Sequence, residues 1–345
     1  MKIRTTRRGS ALIAAGITAA VLLAGCSPAE SGPAEEVSVE DPALQELIDA
    51  ATEEGSLTLY GIVDERALRA VGAAFTEKYG IQVNTLRLVS ADLSQKYSSE
   101  ATAGATVADA ILLTHSPFFA DAVDKEWLTP LSEDEVPGFD EYPADFIEND
   151  GAAAIVSLVA TQMVYNTDNV EKTPTSWEEY AKPEYKGKLL FAEPASSPAN
   201  LAFWSLMIDE FGEAFLEDIA DNEPTWMNSA VNTTQGVAAG EGDLAHPGVL
   251  AIVDTLKQSG APVEAALLGP TTGPEIALGV SADSPSPNAA RLFAHYLLSE
   301  EGSGVLADES GAGSPLDEAA VTEWTRPVPP ADDIKAKINK LLGVG

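Results

Sequence analysis

The spacing of apolar residues divides the first third of the folded region into alternating strands and helices. Residues 57–60 alternate between apolar and polar positions, as a half-buried strand does. The helix that follows is predicted to bury Leu68, Val71, Phe75 and Tyr79. Residues 81–88 resume a strand pattern before a second helix, residues 109–113 are typical of a buried parallel strand, and Pro117 opens a third helix. The pattern therefore predicts a β-α-β-α-β-α order.

The remainder of the chain continues this alternation, with one unusually long apolar run. Residues 152–165 exceed the length of a typical strand and fit a strand that passes from one domain into another. Ser176 to Glu179 match a capping box, so a helical segment is expected there. Further strands are predicted at 188–192, 243–245, 263–268 and 276–280. Further helices are predicted at 201–211, 215–219, 228–239, 249–256 and 288–298. Helices alternating with strands indicate the α/β class.

The N-terminal segment has the layout of an export signal. Four basic residues precede an apolar run at 11–23, which is too short to span a bilayer comfortably. The sequence Leu-Ala-Gly-Cys at 23–26 resembles the lipobox of bacterial lipoproteins, which implies cleavage before Cys26 and a lipid on its sulfur. The alternative is an ordinary signal peptide that happens to contain a cysteine. Cys26 is the only cysteine of the chain, so no disulfide can form within it.

Composition then limits the possible partners. Without the four basic residues of segment 1–25, the chain carries 16 Lys and Arg against 54 Asp and Glu, a net charge of −38. Such a charge disfavours binding to nucleic acid and to anionic lipid head groups. The Pro-, Ser- and Glu-rich segment 26–43 is expected to form a flexible tether. About 300 residues follow, which favours two domains over one.

At this point the chain resembles the substrate-binding proteins of bacterial ABC importers, in their ferric-ion-binding-like branch. The resemblance spans nearly the whole mature chain and rests on the order of several segments. They are LTLYGIVDER at 57–66, DAILLTHSP at 109–117, MVYNTDNV at 163–170, PTSWEEYAKPEYKGKLLFAEP at 174–194, NSAVNTTQGVAAGEGDLA at 228–245 and SPNAARLFAHYLLSEEGSGVLADESGAGSPL at 286–316.

This resemblance implies a type II periplasmic-binding-protein-like fold of two lobes, each a mixed sheet flanked by helices, joined by two hinge crossovers. Lobe 1 would comprise residues 44–160 and 269–314, and lobe 2 residues 161–268, with a C-terminal helical tail at 315–345. It also implies capture of a small-molecule ligand by lobe closure and docking on an ABC permease in the cytoplasmic membrane. We expect a monomer without a cofactor or catalytic residues, held by its lipid anchor on the outer face of that membrane.

Polar residues that follow predicted strands are the candidates for ligand binding, because open α/β sheets bind ligands beyond the carboxyl ends of their strands. Asp64 follows the first strand and is a candidate for either ligand contact or capping of the next helix. Thr114, His115 and Ser116 follow the strand at 109–113. For His115, the alternative is a surface histidine with a local hydrogen bond.

The second half of the chain supplies the other candidates. Ser196 and Ser197 precede a long helix, an arrangement suited to an anion, and the resemblance places them on the family's anion-binding loop. Asn228 begins another helix, aligns with a family asparagine that contacts the anion, and shares a face with Asn232. The alternative for these residues is helix capping. His246 is expected in a loop, either contacting an organic ligand or as an ordinary loop histidine.

One departure from the resemblance bears on the ligand. Ferric-binding members carry two adjacent tyrosines after the turn that corresponds to residues 240–243, and residues 244–251 contain no tyrosine. Fe³⁺ prefers several anionic oxygen ligands, so bare iron is disfavoured and no metal ligands are assigned. The preferred ligand is a small organophosphate, phosphonate or carboxylate, or a metal chelate. The alternatives are free ferric ion, an exported α/β enzyme, for which no catalytic motif is found, and an adhesion or structural lipoprotein, which the α/β pattern disfavours.

Overall fold

The computed structural model describes residues 41–328 and 330–344. The predicted signal segment, Cys26 and most of the predicted tether lie outside these residues. Asp41 caps the first helix, which begins at Pro42, so the last two residues assigned to the tether belong to that helix. No helix in the described ranges is long and apolar enough to cross a membrane.

The described residues form twelve strands and twelve α-helices. The strands are β1 Ser56–Gly61, β2 Gln82–Arg87, β3 Ala110–Thr114, β4 Leu128–Thr129, β5 Ile147–Glu148, β6 Ala153–Leu158, β7 Gln162–Asn166, β8 Leu189–Ala192, β9 Thr225–Met227, β10 Leu244–Gly248, β11 Val263–Ala266 and β12 Glu275–Ser281. The helices are α1 Pro42–Glu54, α2 Glu65–Tyr79, α3 Ser90–Thr102, α4 Pro117–Asp124, α5 Pro198–Phe211, α6 Glu213–Asp221, α7 Ala230–Ala238, α8 Leu250–Gln258, α9 Pro287–Leu298, α10 Glu300–Ser310, α11 Glu318–Thr322 and α12 Asp332–Leu341.

The first sheet has the order β2-β1-β3-β12-β6-β5, with β4 pairing with β12. Strands β1, β2 and β3 are parallel, since each is followed by a helix that returns the chain to the same end of the sheet. Strand β12 returns antiparallel between β3 and β6. The β-α-β-α-β-α order predicted from the apolar spacing is present, and α2 ends at Gly80 in the left-handed conformation.

The second sheet has the order β11-β7-β10-β8-β9. Strands β8, β9 and β10 are parallel, whereas β7 and β11 run antiparallel to their neighbours. Its largest core packs five aromatic side chains together: Trp177, Tyr180, Phe191, Phe203 and Trp204. The structure is therefore a mixed α/β fold with two sheets, each with its own core.

The long apolar run at 152–165 divides between the two sheets. Strand β6 belongs to the first sheet and β7 to the second, and residues 159–161 connect them. The chain returns from the second sheet to the first between β11 and β12. The helical segment expected after Ser176 is only a short 3₁₀ helix at Trp177–Ala181. Pro183 explains the early end, because a residue before proline avoids the helical conformation and Lys182 is extended.

The C-terminal segment contacts both cores. Leu316, Val321 and Trp324 pack against the core of the first sheet, and Ile338 and Leu342 belong to the largest core of the second. Between these contacts, the backbone N–H of Thr271 donates to the Glu323 carbonyl, and Thr325 N–H donates to the Thr271 carbonyl. The segment therefore pairs with the connection between β11 and β12.

Candidate functional site

The two sheets direct the carboxyl ends of their parallel strands toward the segments that connect them. Thr114 ends β3 and pairs with Ile276, which follows one connecting segment. Gly248 ends β10 and pairs with Gln162, which follows the other. Loops after the parallel strands of both sheets therefore lie at edges that face the connecting segments. Ligands of α/β sheets bind at such edges.

Asp64 lies in the loop after β1 and caps α2. Its Oδ1 accepts a hydrogen bond of 2.9 Å from the Arg66 backbone N–H, which satisfies one unpaired donor of the first helical turn. The side chain remains exposed, and Oδ2 has no hydrogen-bond partner among the described residues. The capping alternative is realised, and one carboxylate oxygen stays accessible.

The three candidates after β3 are half-buried, and Thr114 and His115 are hydrogen-bonded to residues distant in sequence. Thr114 Oγ1 lies 3.1 Å from the Ser90 hydroxyl at the start of α3. His115 Nε2 lies 3.3 Å from Asn149 Oδ1, 34 residues away in sequence, so this histidine is hydrogen-bonded, but not by the local contact considered for it. Ser116 occupies the N-cap position of α4, but its hydroxyl makes no capping bond. The Ser116 hydroxyl therefore does not form a hydrogen bond with the first N–H groups of α4.

Ser196 and Ser197 organise the loop between β8 and α5. The Ser197 hydroxyl caps α5 by accepting a bond of 3.1 Å from the Asn200 N–H. Ser196 Oγ donates to the Glu193 carbonyl at 2.6 Å and accepts from Asn200 Nδ2 at 2.9 Å. Asn200, which is 5% exposed, thus holds both serines in place. Ser197 therefore caps a helix, as the alternative interpretation predicted, whereas Ser196 is exposed.

Asn228 and Asn232 are exposed and bonded to each other. Asn232 Nδ2 donates to Asn228 Oδ1 at 2.6 Å, and Ser229 rather than Asn228 caps α7. An open cavity of about 620 Å³ borders both asparagines and also Glu193. Because the Glu193 N–H donates to the Met227 carbonyl at 2.8 Å, the Ser196 loop and the Asn228 loop lie next to each other.

His246 lies in the core rather than in the loop expected for it. The segment His246-Pro247-Gly248 continues strand β10, which places the imidazole within the aromatic core of the second sheet at 1% exposure. Its ring stacks on Phe203 with centroids 3.6 Å apart, and Nε2 lies 3.1 Å from Thr161 Oγ1. Burial lowers the pKa of His246 to about 3, so the ring is neutral at physiological pH. This shielded ring is poorly placed to contact a ligand.

The structure also brings residues to these loops that the sequence analysis missed. Ser90 lies at the start of α3. The sequence predicted a helix around residue 93 but gave no sign that its first residue lies near the candidate site. Asn149 contacts His115 from 34 residues away, so only the tertiary fold shows this contact. Asn200 contacts Ser196 from four residues away, on the first turn of the helix predicted there. None of the nine candidates is a lysine or arginine. Within the described ranges, no group of three or more His, Cys, Asp or Glu side chains is arranged to hold a metal ion.

Comparison with known proteins agrees with this architecture. A model of the family described as bacterial extracellular solute-binding protein matches residues 70–328. Iron-bound HitA from Pseudomonas aeruginosa is 19% identical, with a TM-score of 0.59 over 83% of this chain and 99% of HitA. AfuA from Actinobacillus pleuropneumoniae, with fructose 6-phosphate bound, is 19% identical, with a TM-score of 0.55 over 84% and 97%.

FutA from Trichodesmium, in complex with iron and citrate, is also 19% identical, with a TM-score of 0.56 over 84% of this chain and 98% of FutA. At these identities the likeness concerns the fold. It confirms the expected type II periplasmic-binding-protein architecture.

Proposed function

This chain belongs to the bacterial extracellular solute-binding proteins of ABC importers, and from that premise we propose that it captures a small anionic solute or a metal chelate between two lobes. The family comprises binding proteins of transporters rather than enzymes. The observation that carries the proposal is the orientation of the two sheets, whose parallel strands end in polar loops at edges facing the connecting segments.

The proposed lobes follow the two sheets. Lobe 1 comprises residues 44–160 and 269–314, and lobe 2 comprises residues 161–268. Closure would bend the segments around Thr161 and around 269–274, which are hydrogen-bonded to each other: Thr161 Oγ1 donates to the Thr272 carbonyl, and Thr271 Oγ1 to the Thr161 carbonyl, both at 2.8 Å. The closed form would dock on an ABC permease.

The proposed ligand class follows from the chemistry of the loops. Ser116, Ser196 and Asn228 offer hydroxyl and amide groups near helix N-termini, which favour an anionic oxygen. His246 is omitted from the proposed site because it is buried. The fructose 6-phosphate bound to AfuA and the iron and citrate bound to FutA support an organic phosphate, a carboxylate or a metal chelate as the ligand.

A thermal-shift screen of the full chain, extracted in mild detergent, tests this proposal. The screen compares fructose 6-phosphate, citrate, ferric citrate, inorganic phosphate, ferric ion and uncharged fructose. A solute that binds only the folded state stabilises it by about 2.7 kcal/mol at a hundredfold excess over Kd. We expect stabilisation by at least one anion or by the chelate. Stabilisation by ferric ion without any anion would favour the iron-binding alternative, and stabilisation by fructose alone would contradict the proposal.

We further propose that Cys26 is lipidated and anchors the protein on the outer face of the cytoplasmic membrane. The support is the sequence Leu-Ala-Gly-Cys at 23–26 behind a basic and apolar segment. Intact mass spectrometry of the cell-made protein should show a chain that starts at Cys26 and carries acyl groups. Cys26→Ser should abolish the modification and release the protein from the membrane fraction, whereas an unmodified membrane-bound thiol would contradict the assignment.

A further inference from the structure

Arg87 stands beside one of the proposed ligand loops. It is the last residue of β2 and pairs in register with Gly61, which ends β1 immediately before the Asp64 loop. Alternation along β2 places Arg87 on the same face as Val83 and Thr85, the residues that approach Gly72 of α2. Its side chain is therefore on the α2 side of the sheet, at the edge where β1 leads into the loop that contains Asp64.

Arg87 is also one of very few cations without an internal partner. The described part of the chain contains 16 Lys and Arg, of which twelve form ion pairs, and Lys125 lies over the Trp127 ring. Only Arg87, Lys172 and Lys340 have no ion pair, no side-chain hydrogen bond and no ring contact within the described ranges. Of these three, Arg87 alone lies at the carboxyl ends of the parallel strands.

An unpaired guanidinium is unusual in a chain with 54 acidic residues, because most of the described lysines and arginines form an ion pair with a carboxylate. It keeps a full charge and five N–H donors in a planar fork that matches a carboxylate or a phosphate. None of the candidates derived from the sequence is a lysine or an arginine. We propose that Arg87 is the specificity-determining residue that binds the anionic group of the solute, an assignment that rests on the proposed function.

Binding measurements on the full chain and its Arg87→Gln variant test the assignment. The probes are fructose 6-phosphate, citrate and inorganic phosphate, with uncharged fructose as the reference solute. Since a hydrogen bond to a charged group is among the stronger ones, Arg87→Gln should weaken binding of the anion at least about tenfold. Arg87→Lys should recover only part of the affinity, because lysine keeps the charge but not the fork.

Lys172→Gln and Lys340→Gln are the matched controls, since each removes another unpaired cation and changes the net charge equally. Both should bind the anion like the wild type. An anion that binds wild type and Arg87→Gln with equal affinity overturns the Arg87 assignment and leaves the proposed function standing. An equal loss in all three variants also overturns it, because the effect is then one of net charge. A wild type that binds fructose but none of the anions overturns both proposals.

Discussion

At the residue scale, His246 shows how burial determines the chemistry of a side chain. Phe203 stacks on its ring, Trp177 and Trp204 meet it edge to face, and Thr161 is its polar neighbour. Because Thr161 Oγ1 donates to the Thr272 carbonyl, the 3.1 Å contact requires His246 Nε2 to act as the donor. The imidazole therefore bridges the second sheet and a connecting segment in its neutral form.

This environment predicts a specific dependence of stability on pH. The pKa of His246 is about 3 in the folded state, below its ordinary value of 6.5, so the neutral ring's contribution is fully present above pH 6.5. It is lost as pH falls from 6.5 toward 3, by up to about 1.4 kcal/mol per pH unit. His246→Gln keeps a donor for Thr161 without a titrating ring, so its free energy of unfolding should fall less between pH 7 and 4 than that of the wild type.

Urea denaturation at several pH values measures this difference. The acidic residues titrate in both proteins, so the difference between the two curves isolates the histidine. His115→Gln is the control, because His115 is only half-buried, and its curve should follow the wild type. Parallel curves for wild type and His246→Gln would contradict the prediction.

At the element scale, two neighbouring residues at the N-terminus of α7 have different roles: Ser229 caps the helix, and Asn228 is proposed to bind the ligand. Ser229 accepts a hydrogen bond from the Asn232 N–H, whereas within the described ranges the Asn228 side chain is hydrogen-bonded only to the Asn232 side chain. Ser229→Ala should therefore lower the free energy of unfolding by about 1 kcal/mol. Asn228→Ala should leave it almost unchanged and should weaken anion binding instead.

Denaturation and binding assays on the same two variants make the distinction. Equal destabilisation by both substitutions would assign Asn228 a structural role. Unchanged anion binding by Asn228→Ala would remove Asn228 from the proposed site.

Element positions were largely predictable from the sequence, and contacts between distant elements were not. Apolar spacing located α2 and β3, and Gly80 marked a helix end, because these signals are local. The spacing could not show that His246 lies in the core, because its neighbours Thr161 and Phe203 come from other elements. Arg87 was missed for a related reason: only the full set of ion pairs among residues 41–328 and 330–344 shows that it takes part in none of them.

At the scale of the whole molecule, the C-terminal segment links the two cores at the point where the chain crosses between the sheets. Arg326 donates through Nε to Glu275 at 3.0 Å, through Nη1 to Glu148, and through Nη2 to the Asp145 carbonyl at 2.7 Å. Glu275 is 4% exposed and begins β12, directly after the connecting segment. This arginine therefore holds the tail against the proposed hinge.

Loss of this arginine should affect the hinge more than an ordinary surface ion pair would. Arg326→Leu leaves the buried carboxylate of Glu275 with only a long contact of 3.4 Å to Trp324 Nε1, so we expect the free energy of unfolding to fall by about 2 kcal/mol. Arg291→Leu breaks the more exposed pair with Glu135 and should cost at most about 1 kcal/mol. Adding Glu275→Gln to Arg326→Leu should recover part of the loss, because a neutral amide is less costly to bury than an unpaired charge.

Hydrogen exchange then shows where the stability is lost. In Arg326→Leu, exchange should rise first in the connecting segments 159–161 and 271–274, whose Thr161 and Thr271 N–H groups are hydrogen-bonded there, and in the tail at 323–326. Faster exchange confined to the tail would mean that Arg326 fastens the tail without stabilising the hinge. Acceleration in both connecting segments would show that the tail stabilises the proposed hinge through its backbone hydrogen bonds to Thr271.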